Sequence, residues 1–215
     1  MVNEPQVCVV HNTLNSVGGG ERVCLTVIEA LKELGFHVAL ITTEPTDWNR
    51  VKRMMGDIVE PDEEHYLLPF KVKAFGIYMR LLTFIKLIRN SGKCKLIINT
   101  HGDVLPISSD IIYMHFPTFA LLREAPINIK YSKSFFWGFY FKPYEWIQSK
   151  LIKRMRWKVL LTNSEYSRRA IEKHIGADAK IIYPPVNIDE FLKVSEITER
   201  KSRVVLCGRY TPEKL

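Results

Sequence analysis

Three consecutive glycines are the first residues in the sequence that could do chemistry. Gly18, Gly19 and Gly20, called here the glycine turn, lie between an apolar run and an amphipathic segment that begins with Glu21. Glycine lets a ligand approach the backbone closely. Because the free N–H groups at a helix start favour an anion, the turn is a candidate site for a phosphate or carboxylate. An ordinary flexible turn explains the same residues equally well.

The spacing of these glycines argues against two common nucleotide-binding classes. The sequence SVGGGERV does not match G-x-G-x-x-G or G-x-x-x-x-G-K-[ST]. A dinucleotide-dependent dehydrogenase and a P-loop enzyme therefore lose their main support.

Histidines follow several of the apolar runs. His101 stands in NTHGD and His115 in YMHFP, each at or just after a predicted strand. In a parallel sheet the carboxyl ends of the strands face the ligand crevice. A histidine there can donate to a ligand hydroxyl or to a leaving phosphate. Each could instead be structural, and the same two interpretations apply to His11 after the first strand.

Two cations near the end of the chain have a comparable position. Arg209 and Lys214 stand in GRYTPEKL, directly after the apolar run RVVL. An arginine fork and a lysine charge together suit a diphosphate. A solvated surface loop is the alternative.

The pattern that must position these residues is an alternation of apolar runs with amphipathic segments. It predicts an α/β fold, a Rossmann-like doubly wound parallel sheet. The predicted strands are residues 6–10, 37–43, 95–99, 110–114, 158–162 and 180–183. The predicted helices are residues 21–34, 47–55, 70–89, a segment from about Tyr140 onward, and 165–175 between a Ser164 cap and Gly176.

The four cysteines and the chain start bear on the compartment. Cys8, Cys24, Cys94 and Cys207 form no C-x-x-C pair. We expect buried free thiols in a reducing compartment rather than a disulfide or a zinc site. The polar N-terminus does not resemble a signal peptide, and no apolar run reaches bilayer length. The sequence therefore predicts a cytoplasmic protein.

Basic residues are concentrated in two segments. The net charge is +8, yet residues 65–102 carry seven basic residues and no acidic one, and residues 133–158 carry seven basic residues and one acidic one. Nine aromatic residues are interleaved with the cations of the second segment. This composition is typical of an interfacial helix that lies on an anionic membrane.

The predicted membrane contacts in that second segment are Phe135, Phe136, Trp137, Lys142, Trp146, Lys150, Lys153 and Arg154. The alternative is that the aromatic residues belong to the core and the cations to a solvated face.

Five motifs in order resemble family 4 of the GT-B glycosyltransferases. They are NSVGGGERV, YMHFPTF, NSEYSRRAI, YPPVNIDEF and GRYTPEK, and they run from residue 15 to residue 214. GGGERV and YMHFP are most similar to the dolichol-linked oligosaccharide mannosyltransferases, which act in glycan biosynthesis at the cytoplasmic face of the endoplasmic reticulum. The resemblance implies a retaining transferase whose donor is a nucleotide sugar such as GDP-mannose and whose acceptor is lipid-linked or a polysaccharide.

The resemblance also implies roles for particular residues. The glycine turn and Glu21 would lie near donor and acceptor, Arg209 and Lys214 would hold the diphosphate, and His101 or His115 would approach the transferred sugar. These cations and a helix start would stabilise charge on the leaving diphosphate. No metal cofactor is expected, and the implied partners are the nucleotide sugar, the acceptor and an anionic membrane surface, without nucleic acid.

The same resemblance divides the chain into three parts. Residues 1–186 would form an acceptor-side Rossmann-like domain, residues 187–202 an interdomain linker, and residues 203–215 the first strand and donor loop of a truncated second domain. The family's E-x7-E motif belongs to the second domain and is missing here, which predicts that this chain alone is inactive. The alternative function is a non-catalytic basic and aromatic module that binds membrane or nucleic acid.

Overall fold

Seven parallel strands and four helices make up the described part of the chain. The computed structural model describes residues 7–69, 78, 94–117, 135–186, 188, 192, 202 and 204. The strands are β1 Val7–Val10, β2 Val38–Thr42, β3 Glu63–Tyr66, β4 Leu96–Asn99, β5 Ile111–Met114, β6 Val159–Thr162 and β7 Lys180–Ile181. The helices are α1 Gly19–Glu33, α2 Trp48–Met55, α3 Phe135–Arg154 and α4 Glu165–Ile175.

All the strands belong to one sheet in the order β3-β2-β1-β4-β5-β6-β7, and every pair is parallel. The predicted Rossmann-like α/β fold is confirmed. The chain first builds outward from β1 to β3 and then returns to place β4 on the other side of β1. Ligands of such sheets bind beyond the carboxyl ends of the strands where this reversal occurs.

The central strand β1 is buried on both faces. Val7 and Val9 pack with Ile28 of α1 on one face. Cys8 and Val10 pack with residues that include Leu105 on the other. Side chains alternate along a strand, so a strand covered on both faces reads as a continuous apolar run. This explains why the first strand could be predicted from the five residues QVCVV at positions 6–10.

Local signals fix the ends of the helices. The Ser164 hydroxyl accepts a hydrogen bond from the Ser167 N–H and starts α4, and Gly176 ends it with a φ of +74°. Gly35 follows α1 with a φ of +81°. This left-handed conformation favours glycine because it has no Cβ. The predicted helix 165–175 is confirmed at both ends.

Two elements differ from the sequence prediction. Strand β3 was not predicted, because its residues EEHY show no apolar alternation. It lies at the edge of the sheet, where only β2 pairs with it, and edge strands are commonly polar. Helix α3 begins at Phe135 rather than near Tyr140.

The expectation of free thiols is wrong for two of the cysteines. Cys8 and Cys94 form a disulfide, and their Cα atoms are 5.7 Å apart. The pairing of β1 with β4 brings the two residues together, since Val7 is in register with Leu96. Cys24 is a buried free thiol, as expected. Cys207 lies outside the described residues.

The other predictions that fall outside the described residues are the helix 70–89, apart from Tyr78, and the strand and loop that contain Arg209 and Lys214.

Candidate active site

Three histidines meet at the carboxyl edge of the sheet. His11 follows β1, His101 follows β4 and His115 follows β5. The rings of His11 and His101 are stacked with centroids 4.6 Å apart, and His101 meets His115 edge-on at 5.6 Å. The structure therefore brings together the two histidines that the sequence predicted for the site. His11 is the third member.

Thr100 connects two of these histidines. Its hydroxyl donates to the carbonyl of Val10, so the Nδ1 of His11, 2.9 Å from that hydroxyl oxygen, must be the donor in their hydrogen bond. Its carbonyl lies 3.2 Å from the Nε2 of His115. Because a carbonyl oxygen only accepts, that Nε2 carries a hydrogen, and the Nδ1 of a neutral His115 is left as an acceptor.

Glu21 joins the histidines to the start of α1. Its Oε2 accepts a hydrogen bond from the Gly18 N–H at 2.8 Å. Its Oε1 lies 3.9 Å from the Nε2 of His11. Glu21 is almost buried, with 7% of its surface exposed. The carboxylate therefore caps the helix and faces a buried imidazole at the same time.

The contacts of His11 favour its charged form. Burial alone would lower the pKa of His11, but the neighbouring Cys24 sulfur and the Glu21 carboxylate outweigh that effect and raise its pKa to about 9. Burial would raise the pKa of Glu21, while the neighbouring His11 and hydrogen bonds from backbone N–H groups lower it. Both effects point to an imidazolium–carboxylate pair at neutral pH.

The surroundings of His115 favour its neutral form instead. Burial lowers its pKa, and the charge of His11 lowers it further, against the attraction of Asp103. Asp103 is itself buried, which raises its pKa. An Asp103 carboxylate oxygen accepts the backbone N–H of His115 at 3.2 Å, and the Gln148 amide of α3 donates to the Asp103 carbonyl at 2.7 Å. His115 is therefore held in position from both the loop after β4 and helix α3.

The glycines of the turn have different surroundings. A Cβ added at Gly20 would lie 3.2 Å from the Nε2 of His115, and one at Gly18 would lie 2.9 Å from Glu21 Oε2, while one at Gly19 would have no neighbour within 4 Å. Gly20 is thus the glycine against which His115 packs.

Only part of the predicted anion site is open. The Gly18 N–H is already bonded to Glu21, so it is not free as the sequence suggested. For the Gly19 and Gly20 N–H groups, no acceptor is found in the described part of the chain. An incoming phosphate would therefore meet two amides rather than three.

The predicted membrane residues lie on α3. Lys142, Trp146, Lys150, Lys153 and Arg154 are exposed, whereas Tyr144, Gln148 and Ile152 face the interior. The Lys150 Nζ lies 3.8 Å from the Trp146 ring centroid. Phe135, Phe136 and Trp137 form the first turn of α3. In the described ranges, no helix is long and apolar enough to cross a bilayer.

A second concavity lies at the opposite, amino-terminal edge of the sheet. Its volume is about 320 Å³, and Ser108, Asp110, Arg156 and Lys158 are among its lining residues. Asp110 forms an ion pair with Lys158 there at 2.7 Å. Among residues 7–69, 94–117 and 135–186, no group of three His, Cys, Asp or Glu side chains is placed to hold a metal ion.

Comparison with known proteins identifies the family. The sequence model described as Glycosyltransferase Family 4 matches residues 17–190, which is most of the chain. The chain belongs to glycosyltransferase family 4. A search of curated proteins found no significant match. The matched region begins next to the glycine turn and includes His101 and His115, and it leaves out His11.

The contrast between Gly19 and Gly20 gives a matched pair of variants. Alanine is favoured over glycine inside a helix by about 1 kcal/mol. We expect Gly19→Ala to raise the free energy of unfolding by up to about that amount. Gly20→Ala should gain less or lose stability, because its Cβ must displace the His115 ring.

Urea unfolding of the two variants and the wild type measures this difference. Equal stabilisation by both substitutions would contradict the packing of His115 on Gly20.

Proposed function

We propose that the chain is the acceptor-side part of a retaining glycosyltransferase that uses a nucleotide sugar. Membership of family 4 establishes the transferase class. The proposal adds the donor, GDP-mannose by the resemblance of the motifs, and a lipid-linked or polysaccharide acceptor. The supporting observation is the meeting of three histidines and the glycine turn at the strand reversal between β1 and β4.

Of His101 and His115, His115 is the better candidate for contact with the sugar. Its ring packs on Gly20, and its Nε2–H is engaged by the Thr100 carbonyl. The remaining Nδ1 can accept a hydrogen bond from a sugar hydroxyl. A ring fixed on both sides orients the sugar at little entropic cost. His101, stacked on His11 and edge-on to His115, would form the wall of the same pocket.

The diphosphate would lie at the start of α1. Breaking the sugar–phosphate bond builds negative charge on the leaving phosphate, and the Gly19 and Gly20 N–H groups together with the helix dipole can stabilise it. In this proposal Arg209 and Lys214 approach the same phosphates from the second domain. No step of this scheme requires a metal ion.

A transfer assay tests the proposal with the full-length gene product. Radiolabelled GDP-mannose, UDP-glucose and UDP-N-acetylglucosamine would be offered with a lipid extract as acceptor. We expect label from GDP-mannose in the lipid fraction. We also expect His115→Ala to lower kcat by about 100-fold, the loss that misplacement of the reacting sugar can cause.

The control is His65→Ala, a histidine on the far edge strand β3, which should keep wild-type activity. Folded wild-type protein that transfers no sugar from any of the donors would contradict the proposal. A His115→Ala variant that transfers sugar at the wild-type rate would contradict the role proposed for His115.

Contact with an anionic membrane is the second part of the proposal. Helix α3 buries Tyr144, Gln148 and Ile152 along one side and exposes its cations and Trp146 along the other. Trp146 is 60% exposed. An exposed tryptophan between cations is typical of a helix that lies in the headgroup region. A lipid-linked acceptor would be met at such a surface.

Vesicle flotation tests this contact. Each cation near an anionic surface contributes about 1 kcal/mol, so the variant Lys150→Ala, Lys153→Ala, Arg154→Ala should bind phosphatidylserine vesicles about 100-fold more weakly. Trp146→Ala should weaken binding even in high salt. The matched control, Lys180→Ala with Tyr183→Ala, removes an exposed cation and aromatic residue elsewhere. Equal binding by all variants would contradict the role of α3.

A further inference from the structure

His11 is completely buried and lies next to His101 in the histidine cluster. Its Nδ1 is bonded to the Thr100 hydroxyl, and its ring stacks on His101. Its Nε2 has no hydrogen-bond partner within bonding distance in the described part of the chain, and Glu21 stands 3.9 Å away. A neutral imidazole with its hydrogen on Nδ1 would turn the lone pair of Nε2 towards the Glu21 carboxylate and gain no attraction from it. A charged one is stabilised by the carboxylate.

We propose that His11 is a positioning residue of this site, held as an imidazolium by Glu21, that fixes the ring of His101 and keeps His115 neutral. The inference rests on the proposed function only for what His101 and His115 do to a sugar. The arrangement itself can be measured without any substrate.

Thr100 links His11 to His115 through hydrogen bonds. Its hydroxyl binds His11 and its carbonyl binds His115, so both histidines are attached to one residue at the end of β4. A change in the ring of His11 therefore shifts the residue that orients His115. The stack between His11 and His101 gives a direct contact to the third ring.

The second link between His11 and His115 is electrostatic. His11 faces Glu21 and Cys24 from α1, His101 after β4, and Asp103 from the following loop. A fixed positive charge in this cluster opposes a second one on a neighbouring imidazole.

His115 shares Asp103, Glu21 and His101 with His11 as neighbours. Asp103 and Glu21 attract a proton to it, while burial and His11 oppose one, and the Tyr113 ring packs against it at 5.0 Å. The net effect places the pKa of His115 below its ordinary value. A neutral His115 retains the Nδ1 acceptor that a sugar hydroxyl would use.

Histidine NMR of the whole chain tests the inference directly. Nitrogen-15 shifts of the rings, assigned with single His→Gln variants, report which nitrogens carry hydrogen. In the wild type at pH 7 we expect both nitrogens of His11 to be protonated and only Nε2 of His115. A neutral His11 at pH 7 would overturn the proposal, and this reading needs no variant at the buried position.

Two substitutions separate charge from shape. Glu21→Gln keeps an oxygen for the Gly18 N–H but removes the carboxylate charge, so the titration midpoint of His11 should fall. His11→Gln keeps a donor for the Thr100 hydroxyl but removes the cation, so the midpoint of His115 should rise. His65→Gln is the control and should move neither. A folded His11→Gln protein with an unmoved His115 midpoint would overturn the coupling.

Stability gives an independent check. The pKa of His11 in the folded state, about 9, is above its ordinary value of 6.5. Its contribution to the free energy of unfolding is therefore full below pH 6.5 and is lost as the pH rises through about 9. The wild type should lose free energy of unfolding over that window, and Glu21→Gln should lose less. Identical profiles for the two proteins would contradict the ion pair.

Activity provides the last comparison where the gene product transfers sugar. His11→Gln should lower kcat by about 100-fold, as expected for a misplaced catalytic ring. It should also shift the acidic limb of the pH profile to higher pH and change KM less. If no sugar is transferred but the NMR result is as expected, the proposed function fails and the role of His11 in the cluster stands.

Discussion

The pairing of β1 with β4 is the constraint on which the site depends. Val10 is in register with Asn99, so the residues just beyond the two strands, His11 and Thr100, are brought side by side. Parallel strands alternate their side chains between faces, and a slip of one residue would turn His11 away from Thr100 and His101. The apolar side chains of β1, buried on both faces, prevent such a slip. The packing of the core thus fixes the geometry of the polar cluster.

Glu21 gives the glycine turn two different roles. Its carboxylate occupies one amide of the helix start and supplies a negative charge next to His11. This charge weakens the attraction of the turn for a phosphate, and a charged His11 would offset it. The Gly19 and Gly20 N–H groups have no acceptor in the described part of the chain. These two amides are therefore the donors that the helix start can offer to an anion.

Much of the fold followed from local patterns in the sequence. Apolar runs identified the buried strands, and cap chemistry at Ser164 and Gly176 fixed α4, because both signals act over a few residues. Strand β3 was missed, because a polar edge strand carries no apolar alternation. The Cys8–Cys94 disulfide was missed, because it depends on a strand pairing between residues 86 positions apart.

The site was predicted in part for the same reasons. The rule that ligands lie beyond the carboxyl ends of parallel strands selected His101 and His115, and it applied equally to His11. The pairing of His11 with Glu21 could not be read from the sequence, because it arises only when α1 folds back over β1. The bond from the Gly18 N–H to Glu21 is, by contrast, a local capping contact between residues three positions apart, which the sequence analysis did not anticipate. The catalytic roles of His101 and His115 stay predictions.

The proposed function requires phosphates to bind where the glycine turn meets the histidines. Chemical-shift mapping of the nitrogen-15-labelled chain with GDP-mannose, and with GDP alone, tests this most directly. We predict that both ligands shift the Gly19 and Gly20 amides, and that GDP-mannose also shifts the ring of His115. Shifts confined to the opposite edge of the sheet, around Ser108, Asp110 and Arg156, would contradict the account.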